Sequence, residues 1–169
     1  SFSDGGAWLD VDAAVARGHR LIRDGADIID VGGESTRPGA VPLTANQEWD
    51  RIGAVVKALA QTSTPISVDT YHADTARKAI EAGASIINDV TGGAGDPAMF
   101  STIAALGCVY VLQHTRGTPQ TMNSLARYDS VADDVAAELR ASIDRAVALG
   151  VNRANIIVDP GFGFAKDND

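Results

Sequence analysis

The chain has 169 residues, of which 45% are hydrophobic and 21% are charged, and its net charge is −8 at neutral pH. This composition is typical of a globular domain with one core, and the acidic balance argues against a nucleic-acid surface, which needs a basic face. No apolar run approaches the ~20 residues that span a bilayer, and the first residues lack a signal-peptide pattern. We therefore expect neither a nucleic acid nor a membrane as a partner.

The first predicted elements are a helix after Asp10 and a strand at about residues 27–32. The helix is predicted by apolar residues that share one face: Val11, Ala14, Val15, Leu21 and Ile22. The strand follows Gly25, a residue typical of helix C-termini, and its apolar run is continuous rather than alternating. The next stretch, DVGGESTRPGA from Asp30 to Ala40, is richer in glycine and charge than a plain turn requires, which indicates a loop that holds a ligand.

The same alternation of helix and strand continues to the end of the chain. Helices are predicted at residues 45–60, 72–82, 97–106 and 130–149, and strands at about 65–69, 85–90, 108–113 and 155–159. Ser130 with Asp133 predicts a capping box at the last helix. Cys108, the single cysteine, lies in an apolar run and is predicted to be a buried thiol in a reducing, cytoplasmic compartment.

Alternating helices and apolar strands predict an α/β fold with a parallel sheet and outer helices. A barrel is favoured over an open doubly wound sheet, because every strand ends in a polar group and no strand is followed by a G-x-G-x-x-G motif. Five strands do not close an eight-stranded barrel. We therefore predict a single domain over residues 1–169 that is a partial TIM (β/α)8 barrel, strands 2–6, truncated at both ends.

Polar residues end each predicted strand, and in a barrel these ends converge on one rim. They are Asp30, Asp69, Asn88, Gln113, His114 and Asp159. Three of them also have a purely structural interpretation. Asp69 could cap the following helix, Asn88 could satisfy backbone groups, and Asp159 could organise the turn at Pro160.

Together, two carboxylates and an amide suit a flat, nitrogen-rich heterocycle, because a carboxylate can accept two hydrogen bonds along a guanidine-like edge. Phe164 could supply an apolar face, and Arg37 could meet an anionic part of the ligand. The three histidines share no metal-binding spacing, which argues against zinc. The sequence also lacks a G-x-S-x-G nucleophile motif, which argues against serine-type catalysis.

The motifs SFSDGG, DVGGESTRPGA, SVDT, IINDV, RGTPQTMN and DPGFGFAK occur in the order found in the dihydropteroate synthases, and the chain resembles that family over essentially all 169 residues. The resemblance implies a (β/α)8 barrel that joins 6-hydroxymethyl-7,8-dihydropterin pyrophosphate to p-aminobenzoate, with Mg²⁺ assisting the departure of pyrophosphate. It also implies a homodimer for the full-length protein and inhibition by sulfonamides.

The resemblance implies a role for each matching residue. Asp69, Asn88 and Asp159 would hold the pterin ring, with Gly163 and Phe164 lining its slot. Thr36 and Arg37 of the second loop would act with Asp69 in catalysis, Thr36 by contacting the pterin pyrophosphate. Pro38 and Phe2 would form the p-aminobenzoate pocket.

The family's metal-binding Asn would precede Ser1, and its Ser-Arg-Lys and Arg-x-His segments would follow Asp169, so this chain alone is predicted to hold no metal and to be inactive. Two alternatives stay open. One is a methyltransferase domain that passes a methyl group from methyltetrahydrofolate to a corrinoid protein, and the other is a non-catalytic synthase-like paralogue. The intact ESTRPGA stretch argues against both.

Overall fold

The computed structural model describes residues 10–35 and 41–166. Its strands are β1 (Ile29–Gly32), β2 (Ile66–Asp69), β3 (Ile86–Asp89), β4 (Val109–Gln113) and β5 (Ile156–Asp159). Its helices are α1 (Val11–Arg23), α2 (Ala45–Leu59), α3 (Ala73–Glu81), α4 (Met99–Leu106) and α5 (Val131–Ala148), with short 3-10 helices at Met122–Leu125 and Arg153–Asn155. Each predicted helix and strand is confirmed, with boundaries that differ by at most two residues.

The five strands form one parallel sheet in which every strand pairs with the next one along the chain, in the order β1-β2-β3-β4-β5. Consecutive helices also pack on each other, α1 on α2, α2 on α3 and α3 on α4. An open doubly wound sheet reverses its strand order and places helices on both faces, whereas a barrel does neither. The described residues therefore have the architecture of a partial (β/α) barrel, as predicted.

The core lies between the sheet and the helices. Val68, Ile87, Tyr110 and Leu112 point toward the helix layer and are almost completely buried. Because side chains alternate across a strand, the residues between them point toward the other face, which is the inside of the barrel. This alternation decides which strand-end polar groups reach the site.

The position of the capping box and the burial of Cys108 differ from what the sequence predicted. The capping box is at α2, where Thr44 and Gln47 bond reciprocally, while at α5 the Asp133 carboxylate accepts a hydrogen bond from the Ser130 hydroxyl (2.8 Å). Ser130 still accepts from the Asp133 N–H, so the N-cap half of the prediction is confirmed. Cys108 is half-buried rather than buried, and partial burial raises the pKa of its thiol.

None of the helices in the described ranges, 10–35 and 41–166, is both long enough and apolar enough to cross a membrane.

Candidate functional site

The inner face of the sheet collects the polar groups of three neighbouring strands. Asp69 of β2 pairs in register with Asn88 of β3, and Asp30 of β1 pairs with Ser67 of β2. With strands about 4.8 Å apart, these four side chains form one patch at the carboxyl end of the sheet. Asp159 lies on the same face of β5, in register with Gln113 of β4.

Asp159 is separated from this patch both across the sheet and along the strands. β3 and β5 are separated by two strand spacings. Asn88 is in register with Val111 of β4, which is in register with Ile157 of β5, and Asp159 lies two residues beyond Ile157. The sideways separation is therefore about 10 Å before the curvature of the barrel shortens it. Asp69, Asn88 and Asp159 thus lie on the same inner face of the sheet, near the carboxyl ends of β2, β3 and β5.

Asp69 has the most strongly altered titration in the patch. Burial raises the pKa of its carboxyl, and the nearby carboxylates of Asp30 and Glu48 raise it further, to about 8. Burial also raises the pKa of Asp30, although this side chain remains exposed to solvent and the Ser67 and Asn88 side chains oppose the shift as hydrogen-bond donors. Asp69 is therefore largely neutral at pH 7 without a ligand, and a ligand that donates hydrogen bonds to its carboxylate displaces the proton to solvent.

A buried hydrogen-bonded group lies on the helix side of the sheet, next to the end of β2. Glu48 of α2 is 1% exposed and accepts a hydrogen bond from the Thr70 hydroxyl (2.6 Å), which itself accepts from the His72 backbone N–H (3.0 Å). Burial raises the pKa of Glu48. The sequence analysis missed this residue, because a single Glu on the face of a helix does not show that it points into the core.

In the motif IINDV, two successive polar side chains point to opposite faces of the sheet, and Asp89 points away from the site. Its fully buried carboxylate points away from the inner face and accepts from the Thr91 N–H (2.8 Å), the Gly93 N–H (3.0 Å) and the Tyr110 hydroxyl (2.7 Å). These bonds close the turn after β3. Asn88, one residue earlier, faces the site, as predicted.

The structural alternatives for the other two carboxylates have different outcomes. Asp69 does not cap α3, because His72 is the N-cap residue and the first helical N–H, that of Ala73, bonds to Asp96 (2.9 Å). Asp159 does organise its turn, since it accepts from the Gly161 N–H (2.7 Å). One oxygen of Asp159 therefore serves the loop.

Glu34 fixes the beginning of the second loop. Its carboxylate accepts from the Tyr71 hydroxyl (2.7 Å) and from the Leu43 N–H (2.9 Å), and His72 lies 3.9 Å away. One side chain thus connects the end of β1, the loop after β2 and the segment that enters α2. The predicted site residues Thr36, Arg37 and Pro38, together with Phe2, lie outside the described residues.

Phe164 borders a cavity of about 330 Å³ beside the polar patch. The cavity also contacts Glu34 and Tyr71 on one side, Val90 above β3, and Thr115 after β4. Asp69, Asn88 and Asp159 do not line this cavity, so it is distinct from the polar patch. Gly163, predicted to line the same slot, is exposed next to Phe164 and has a φ of +84°.

The described residues do not offer a group of ligands for a magnesium ion. Within residues 10–35 and 41–166, no three His, Cys, Asp or Glu side chains are grouped so that they could hold a metal. This part of the chain therefore does not fit a Mg²⁺ site by itself.

Known proteins are similar to this chain in sequence and in structure. A family model described as pterin binding enzyme matches residues 1–169. The dihydropteroate synthase of Mycobacterium leprae is 47% identical over 167 residues, and that of Bacillus subtilis is 44% identical, each match covering 98% of this chain. These matches cover 59% and 56% of the two relatives, so the chain spans less than two thirds of their length.

Solved structures agree with the sequence matches. The Yersinia pestis dihydropteroate synthase in complex with a sulfonamide drug superposes with a TM-score of 0.94 at 39% identity, covering 99% of this chain and 61% of that one. The Xanthomonas albilineans enzyme in complex with 7,8-dihydropteroate superposes with a TM-score of 0.82 at 37% identity, covering 98% and 58%. With a polar patch of two acids and an amide inside a partial barrel, and with its whole length matched by the family model, the chain belongs to the pterin-binding enzyme family.

Proposed function

We propose that this chain is the pterin-binding part of a dihydropteroate synthase, which condenses 6-hydroxymethyl-7,8-dihydropterin pyrophosphate with p-aminobenzoate. The observation that carries the proposal is that Asp69 and Asn88 are neighbours in register on the inner face of the sheet, with Asp159 on the same face of β5. The relatives named dihydropteroate synthase support it.

In the proposed complex, the acidic and amide groups grip the polar edge of the pterin. The ring N–H and amino groups donate to Asp69 and Asp159, while the Asn88 amide both donates and accepts. Phe164 contributes an apolar wall from the neighbouring cavity. This grip fixes the methylene carbon of the pterin relative to the second loop.

The reaction that we assign breaks the bond between this methylene carbon and a pyrophosphate oxygen, and the bonding electrons leave with pyrophosphate. Electron release from the pterin stabilises positive charge on the carbon. The p-aminobenzoate nitrogen then bonds to it and loses one proton. Protein groups orient the substrates and exclude water, and no protein nucleophile is needed.

The test is dihydropteroate formation by the full-length protein, with Asn88→Ala as the probe. Asn88→Ala is expected to lower kcat/KM by about 100-fold, because it removes hydrogen bonds to a buried polar ring. Asn46→Ala is the matched control, since Asn46 is an exposed asparagine on α2, outside the barrel, and it is expected to leave kcat/KM unchanged.

Two results would count against the proposal. Unchanged activity in Asn88→Ala would show that the neighbouring side chains of Asp69 and Asn88 do not form the pterin-binding site. A full-length protein that forms no dihydropteroate but demethylates methyltetrahydrofolate in the presence of a corrinoid protein would identify a methyltransferase instead.

Magnesium dependence stays a prediction for the full-length protein. It is supported by the resemblance alone, because the described residues offer no cluster of metal ligands. Treatment with a chelator, followed by titration with Mg²⁺ and with Ca²⁺ in parallel, tests it. Activity that is unaffected by the chelator would contradict the prediction.

Assembly and location are also part of the proposal. We infer a homodimer, which sedimentation of the full-length protein tests, and a cytoplasmic location, which cell fractionation tests. The single cysteine supports a reducing compartment, because no intramolecular disulfide can form within this sequence.

A further inference from the structure

Lys166 ties the loop after β5 to the end of β4. Its ammonium group lies 3.0 Å from His114 Nδ1, 3.1 Å from the Gly161 carbonyl oxygen and 3.0 Å from the Phe164 carbonyl oxygen. A lysine has three N–H donors, so these acceptors use all of them. A side chain bound in this way holds the loop at three points.

This contact assigns the tautomer of His114. Because Nδ1 accepts from Lys166, the ring proton must be on Nε2, which donates to Glu138 Oε2 at 3.0 Å. His114 is buried, and burial lowers the pKa of its ring, with the Lys166 charge acting in the same direction. The imidazole is therefore neutral at pH 7 and has one defined orientation.

Further contacts lead from Glu138 back to the loop. Arg116 donates to Glu138 through Nε (3.0 Å), and its guanidinium lies 3.8 Å from the centre of the Tyr128 ring. The Tyr128 hydroxyl then donates to the Ala165 carbonyl oxygen (2.9 Å). The loop after β5 is thus contacted by Lys166 on one side and by Tyr128 on the other, and Glu138 and Arg116 link these two contacts.

The backbone of this loop requires such support. A Cβ at Gly161 would lie 2.0 Å from the His114 carbonyl oxygen, and Gly161 has a φ of +69°. Ala165 has a φ of +49°, a left-handed conformation that is unfavourable for an alanine, and it is buried. Phe164, which borders the cavity, lies between these two positions.

We propose that Lys166 is a positioning residue that sets the Phe164 wall of the pterin slot, acting together with the tautomer-fixed ring of His114. The inference rests on the proposed function for the choice of ligand. It predicts that Lys166 affects recognition of the pterin substrate and leaves recognition of p-aminobenzoate unchanged.

The experiment compares Lys166→Met with Lys57→Met in the full-length protein. Methionine keeps the length of the lysine stem and removes its donors, and Lys57 is an exposed lysine on α2. Lys166→Met is expected to raise KM for the pterin substrate about tenfold, because a small displacement of a positioning group costs rate and affinity. KM for p-aminobenzoate and both constants of Lys57→Met are expected to stay within about twofold.

A second measurement does not depend on activity. Nitrogen-15 NMR of the wild-type histidine rings, with His114→Gln for assignment, is expected to show an unprotonated Nδ1 and a protonated Nε2 at pH 7. A protonated Nδ1 overturns the proposal. If the wild-type protein shows the expected ring but binds no pterin, the proposed function fails while the contact network stands.

Tyr128→Phe covers the case in which Lys166→Met does not fold. It removes only the hydroxyl that binds Ala165 from the other side and is expected to raise the pterin KM about fivefold, the effect of one lost hydrogen bond. Equal increases in both KM values, or no change in either, would overturn the positioning role.

Discussion

At the scale of single residues, the buried carboxyl group of Asp89 and the partly exposed carboxyl group of Asp69 have opposite roles. Burial raises the pKa of Asp89, but backbone and hydroxyl donors surround its carboxylate, oppose this shift and hold the turn after β3. The main influences on Asp69 are burial and other carboxylates, which raise its pKa to about 8. Because these surroundings disfavour the ionised form of Asp69, its presence is better explained by ligand binding than by a contribution to stability.

This difference predicts that Asp69→Asn stabilises the ligand-free protein above pH 4. A raised pKa means that the folded state holds a proton which the unfolded state has lost, so the contribution of Asp69 to stability decreases as the pH rises from about 4 to about 8. Because the side chain is partly solvated, we expect a gain on the order of 1–2 kcal/mol at pH 8 and almost none at pH 4. Urea denaturation at both pH values measures it.

Asp89→Asn is the matched control for this measurement. The Asp89 carboxylate accepts several hydrogen bonds that an amide cannot fully accept, so this variant is expected to lose stability at both pH values. If Asp69→Asn is also destabilised at pH 8, then the Asp69 carboxylate is stabilised by the fold.

A second prediction at this scale concerns ligand affinity and pH. A pterin that donates to Asp69 must displace its proton, so the affinity should rise with pH and level off above about 8. Between pH 6 and pH 8 the expected gain is on the order of tens-fold, provided that the pterin ring itself stays neutral. Calorimetry in buffers of different ionisation enthalpy should detect the release of up to about one proton.

Asp69→Asn is expected to bind weakly at every pH and to lose this dependence. Asp30 also has a raised pKa and neighbours Asp69, so Asp30→Asn is needed to separate the two carboxyl groups. Affinity that is constant across this range in the wild-type protein would mean that Asp69 is already ionised before the ligand binds.

At the scale of helices and strands, the sequence predicted which polar residues lie at the carboxyl end of the sheet, because the end of each strand can be recognised from the local sequence. A parallel strand places its C-terminal polar residue at one rim, and alternation then distinguishes Asn88, which faces the site, from Asp89, which faces the helices. Contacts such as Lys166 with His114 and Thr70 with Glu48 join residues 52 and 22 positions apart. Only the tertiary arrangement of these separate segments determines such contacts, and no local spacing in the sequence predicts them.

Glu34 gives the prediction that belongs to this scale, because it links three connecting segments. Glu34→Gln keeps one oxygen acceptor but turns an amide donor toward either the Tyr71 hydroxyl or the Leu43 N–H. We expect kcat/KM to decrease about tenfold, since residues 36–40, which contain Thr36 and Arg37, are connected to both anchored segments. Steady-state kinetics of the full-length protein measures this effect.

The control is Glu81→Gln, which changes an exposed glutamate paired with Arg77 on α3. Exposed pairs of this kind contribute about 0–1 kcal/mol, so the control is expected to keep its activity. A Glu34→Gln variant with normal kcat/KM would show that this anchor does not control the loop.

At the scale of the whole molecule, the described residues form an incomplete ring of strands. β1 and β5 each pair with one neighbour in the sheet, and Ile157 and Val158 of β5 are about half exposed. A barrel stabilises its edge strands by closing, and an open parallel sheet with apolar edge residues tends to associate. The matches cover 59% and 56% of two synthase relatives, which leaves length for the strands that closure requires.

We therefore predict that the 169-residue chain alone forms no dihydropteroate and self-associates, whereas a version extended at both ends with the corresponding segments of the Mycobacterium leprae relative is monodisperse and active. Light scattering and product formation are measured on both proteins at equal concentration. Extending either end alone is the control, because one open edge remains and the polar patch still lacks the side chains of the missing strands. Turnover by the unextended chain would show that the inner-face patch and its loops are sufficient for the reaction without a closed barrel.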